Sequence, residues 1–105
     1  MVKENSFTWG NATIGVQRDL TVDDDERIYD LMGRLDERDG SARKRYTFAE
    51  FMIAAQIDGE PPLPLVDEQS ADEDIAASWQ AWGKLPRGFL RQWRVLSSED
   101  SADPK

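Results

Sequence analysis

TFAEFMIAAQIDGE, Thr47 to Glu60, is the stretch whose reading decides the fold. Thr47-Phe-Ala-Glu50 has the spacing of a capping box, with a threonine to cap and a glutamate three residues on to reach back. It predicts a short helix over residues 47–57 that carries Phe48, Phe51, Met52 and Ala55, and Asp58-Gly59 stops it. What lies on either side must then pack on this helix.

Upstream, Ser6 to Arg18 reads as a β-hairpin. Phe7 and Trp9 alternate with polar neighbours, Gly10-Asn11 is a two-residue turn signal, and Ala12, Ile14 and Val16 alternate with Thr13, Gly15 and Gln17. A lone hairpin is marginal in water, so it needs helices to pack on or an edge to lend to another chain. Thr21 is an N-cap for a helix over about residues 22–38. Asp23, Asp24, Asp25 and Glu26 fill its first turn, and Ile28, Leu31, Met32 and Leu35 form its apolar stripe. Asp39-Gly40 ends it, and Ser41 to Arg45 reads as a basic loop.

Downstream, Gly59 to Gln69 reads as an ordered crossing loop held extended by its prolines, with Leu63, Leu65 or Val66 tucked against the helices. Ser70-Ala-Asp-Glu73 is a second capping box and opens a helix over 71–83 bearing Ile75, Trp79 and Trp82. Leu85-Pro86 restarts the chain into a last helix over 86–97, with Phe89, Leu90, Trp93 and Leu96 on one face and Arg87, Arg91 and Arg94 in a separate stripe. Residues 98–105 are polar and predict a disordered tail. The expected architecture is α+β, mostly helical: an N-terminal hairpin followed by about four short helices in a single domain over residues 1–97.

Composition narrows the chemistry. The 105 residues contain neither cysteine nor histidine. That excludes disulfides, thiolate nucleophiles, serine and cysteine triads, and histidine-based metal hydrolases. The net charge of −8 opposes nucleic-acid binding through the mean field. It divides unevenly: −5 over residues 1–40, +2 over 41–56, −7 over 57–83 and +2 over 84–105. Two basic islands thus interrupt the acidic bands. The acids at 23–26 lack the EF-hand pattern and read as partners of the helix dipole. Neither a carboxylate pair for glycoside chemistry nor a cofactor site stands out. No apolar run approaches a membrane span, and no signal-peptide core follows Met1, so the host cytoplasm is the expected compartment.

The tryptophans carry two readings. Trp79, Trp82 and Trp93 either pack two short helices together or present a partner surface. Trp and Arg are both enriched at binding hot spots, so Trp79, Trp82, Phe89 and Trp93 with Arg87, Arg91 and Arg94 form the candidate partner-binding set.

The order of these pieces resembles the small tail assembly chaperones and related tail-assembly proteins of long-tailed phages and prophages. Phe7-Thr8-Trp9, Leu20-Thr21-Val22, Ile57-Asp58-Gly59-Glu60-Pro61 and Trp82 through Pro86 carry the resemblance, which spans most of residues 6–96. It implies a non-enzymatic role with no catalytic residues: binding the long tape-measure protein and tail-tube subunits during assembly. It also implies a frameshifted longer form in many members. Two other roles fit the same residues. One is a structural tail protein retained in the virion. The other is an acidic regulator or DNA mimic that inhibits a host nucleic-acid-binding protein.

Overall fold

The computed structural model describes residues 6–101. In chain order it contains β1 (Ser6–Trp9), β2 (Ala12–Val16), α1 (Val22–Gly33), a 3-10 turn (Glu37–Asp39), α2 (Ala42–Ala54), β3 (Ala55–Asp58), α3 (Asp72–Gly83) and α4 (Arg87–Ser101). The fold is α+β and mostly helical, as the sequence predicts.

The hairpin forms on Gly10, whose φ of 61° suits the tight turn. Its register pairs Phe7 with Ile14 and Trp9 with Ala12. The hairpin is not alone, however. Ala55–Asp58 adds antiparallel to β2, pairing Ile57 with Ile14 and Ala55 with Val16. The result is a three-stranded sheet in the order β1-β2-β3.

This corrects the helix expected over 47–57. Helix α2 starts earlier, because the Ser41 hydroxyl accepts from the Lys44 N–H at 3.1 Å and caps it. Thr47 is therefore inside the helix, where its hydroxyl donates to the Arg43 carbonyl at 2.8 Å instead of capping. The basic loop expected at 41–45 is the cap and first turn of α2. The helix ends three residues sooner than expected. Residues 55–58 alternate half-buried and exposed, which is strand periodicity. The Gln17 N–H donates to the Ala54 carbonyl at 2.8 Å and carries the ladder to the helix end.

Three other boundaries differ. Helix α1 stops at Gly33, and Asp36 then caps the 3-10 turn by accepting from the Arg38 N–H at 2.9 Å. The capping box at 70–73 does not form. Ser70 accepts from the Asp67 N–H at 3.0 Å, which leaves Ala71 as an N-cap with no side-chain bond. Helix α4 runs to Ser101, so residues 98–101 of the expected tail are helical, and 102–105 lie outside the described residues. The Thr21 cap does form, reciprocally: its hydroxyl accepts from the Asp24 N–H at 3.1 Å, and the Asp24 carboxylate accepts from the Thr21 N–H at 3.0 Å.

The sheet has one apolar face, built from Phe7, Trp9, Ala12, Ile14, Val16, Ala55 and Ile57, and helix α4 covers it. Phe89 meets the Phe7 and Trp9 rings edge-on at 5.4 and 5.3 Å. The proline loop is ordered against the helices. Leu63 and Val66 are buried, whereas Leu65 is 48% exposed. Ser78 donates to the Pro64 carbonyl at 2.6 Å, and the Arg27 Nε reaches both Glu68 oxygens at 2.9 and 3.1 Å.

Gly59 joins β3 to that loop at φ 103°, and a Cβ there would lie 2.4 Å from the Asn11 carbonyl oxygen. Backbone strain and the clash act together. Gly59→Ala is expected to lower stability by about 2 kcal/mol or more in urea denaturation. Gly33→Ala, where a Cβ meets open space, should be neutral or stabilising.

Candidate functional site

The candidate partner-binding set divides in two. Phe89 and Trp93 are 0% exposed, and Trp82 is buried beside them. The expectation that these three face a partner is corrected: they are core. Phe51 of α2 draws them together, with ring centroids 5.3 Å from Trp82, 5.5 Å from Phe89 and 4.9 Å from Trp93. Small domains need their largest side chains inside, and edge-on ring pairs add to the burial. Trp79 is half-buried. It packs on Phe48 at 5.2 Å and lies so close to Gly40 that a Cβ there would come 2.9 Å from its ring.

Arg87, Arg91 and Arg94 are exposed. They follow the core positions of α4 on the opposite side of the helix. Arg87 and Arg94 line a hollow of about 300 Å³ together with Lys44 of α2, and its floor is Trp82, Leu85, Phe89 and Leu90. A neighbouring hollow of about 400 Å³ is lined by Arg43, Tyr46, Thr47, Glu50, Arg94 and Ser97. The two share Arg94, so the basic islands of α2 and α4 meet in space. Lys44 holds its ammonium 4.8 Å above the Trp79 ring, a cation–π contact that fixes the rim.

The candidate partner-binding set left out Lys44, Leu85 and Leu90. The signal was the pair of +2 bands, which only the packing of α2 on α4 unites. The cations that do form ion pairs lie elsewhere: Arg27 with Glu68, Arg34 with Asp72, and Arg38 with Asp36 at 3.0 Å. The Arg38 guanidinium holds the Asp36 carboxyl below its ordinary value. Arg34 also donates to the Glu68 and Ser70 carbonyls, tying α1 to the proline loop. Among the described residues no group of three or more carboxylates is arranged to hold a metal ion.

Burial pushes the Glu50 carboxyl above its ordinary value. A scan against protein-family models finds no match, and searches of curated proteins and of solved structures return none.

Two outcomes test this geometry. Trp93→Ala should cost about 3–5 kcal/mol in urea denaturation, whereas Arg91→Glu should change stability by less than about 0.5 kcal/mol. A small loss for Trp93→Ala would show that the indole is not in the core. For Glu50, the folded value lies above the unfolded one. The folded chain keeps a proton that the unfolded chain has lost, so this group's contribution declines as pH rises from the unfolded to the folded value. Glu50→Gln should therefore raise the melting temperature at about pH 7 and leave it nearly unchanged below about pH 4, where both side chains are neutral.

Proposed function

We propose that this protein is a non-enzymatic tail assembly chaperone that acts in the host cytoplasm by reversible binding to the tape-measure protein and tail-tube subunits. The observation that carries this reading is the hollow between the end of α3 and the start of α4. It has an apolar floor at Leu85 and Leu90, a cationic rim and an opening to solvent. A tape-measure segment is a long helix with exposed apolar residues, and helix-in-groove binding is a common way to cover such a surface. The net charge of the whole chain, −8, favours keeping the complex dispersed. Strands β1 and β3 at the sheet edges offer a second contact by strand addition. The order of sequence segments that resembles the chaperones supports the same role.

Co-expression with the long, helical reading frame expected beside this one tests the proposal. A stable complex that carries tail components is expected. Recovery of no tail component would overturn the reading. Mass spectrometry of purified particles separates the nearest rival: a chaperone is lost from the finished tail, and a structural protein stays at fixed stoichiometry. A DNA mimic would instead bind a basic host protein with a steep loss on adding salt.

A further inference from the structure

We infer that the hollow framed by Lys44, Arg87 and Arg94 seats an acidic, apolar helical segment of the partner protein. Aliphatic side chains would rest on Leu85 and Leu90, and carboxylates would meet the three cations. This rests on the protein-binding reading above and names the chemistry of the segment that is bound.

Charge is segregated on this surface. The chain has 21 acidic and 13 basic residues, so a cluster of cations runs against its composition. Among the described residues Arg27, Arg34 and Arg38 form ion pairs, whereas Arg43, Lys44, Arg45, Lys84, Arg87, Arg91 and Arg94 form none. Four of those seven, Arg43, Lys44, Arg87 and Arg94, line the two hollows on α2 and α4 that meet at Arg94. Glu50 lies in the second hollow with Arg43 and Arg94 and pairs with neither. Its carboxyl is shifted by burial, with no cation pulling the other way.

Gathering like charges around a low-dielectric cleft focuses a positive potential there, and the amino-terminal end of α4 adds to it. A purely apolar segment would cover the floor and strip water from cations without replacing it. A basic segment would be repelled. A nucleic-acid backbone supplies anions but no aliphatic surface for Leu85 and Leu90. A segment that mixes carboxylates with aliphatic side chains satisfies both floor and rim.

The test uses three synthetic amphipathic helical peptides that share one leucine stripe and carry Glu, Gln or Lys beside it. They are titrated into the full chain and into the doubly charge-reversed variant Arg87→Glu/Arg94→Glu. Both sites are exposed, and a thermal melt checks that the variant folds. The Glu peptide should bind at least about tenfold more tightly than the Gln peptide, with the Lys peptide weakest, and the variant should invert this order. NMR shift changes on binding should centre on Leu85 and Leu90. The inference is overturned if no peptide binds, if the three bind alike, or if the shifts fall on another face. A DNA duplex or single-stranded RNA binding the cleft as tightly as the Glu peptide would also overturn it. So would self-association of the free chain that the variant abolishes, since that assigns the cleft to a second copy. Retention of the tape-measure partner by the variant would sink this inference and leave the chaperone reading intact. Glu-peptide binding without any tail partner would do the reverse.

Discussion

Phe51 is the residue on which the rest of the packing depends. It lies on α2 and touches Trp82 from α3 and both Phe89 and Trp93 from α4. Phe89 in turn carries the sheet through Phe7 and Trp9. Three helices and the hairpin thus converge on one aromatic cluster. Each such ring pair contributes about 0.5–1.5 kcal/mol beyond the area it buries. A domain of this size is held by only about 5–15 kcal/mol in all, so a few ring contacts weigh heavily.

The cluster also dictates the surface. Phe89, Trp93 and Leu96 point α4 inward. Arg87, Arg91 and Arg94 repeat the same spacing two residues earlier or, about 200° around the helix, on the far side. Burying the aromatic stripe therefore exposes the arginine stripe. Helix α2 packs beside it with Phe48 and Phe51 inward, and this brings Arg43 and Lys44 to the same side. The basic face follows from the geometry of the core, in a chain whose total charge is strongly negative.

The acidic side is organised differently. Its carboxylates cap helix starts and pair with Arg27, Arg34 and Arg38. Through Glu68 and the loop carbonyls these pairs hold the proline segment against α1. The prolines restrict that segment, Leu63 and Val66 anchor it, and Ser78 hydrogen-bonds to it from α3. It is a packed connection between β3 and α3.

The sequence by itself determined what local chemistry can encode. The Gly10 turn, the Thr21 cap, the break at Leu85-Pro86 and the two stripes of α4 are all short-range patterns, and each was legible. What needed tertiary structure was whatever depends on a distant partner. Ala55-Gln-Ile-Asp58 continues a helical run in the sequence, and it becomes a strand because β2 offers an unpaired edge 40 residues away. The Ser70 box matched its pattern and failed because Asp67 takes the same hydroxyl. Spacing alone could not say whether Trp82 and Trp93 were core or surface, because an apolar stripe looks the same whether its own chain covers it or another does. Only packing against Phe51 decided that. The union of Lys44 with Arg87 and Arg94 was equally invisible, since charges more than 40 residues apart become neighbours only when the helices that carry them are brought together by the core.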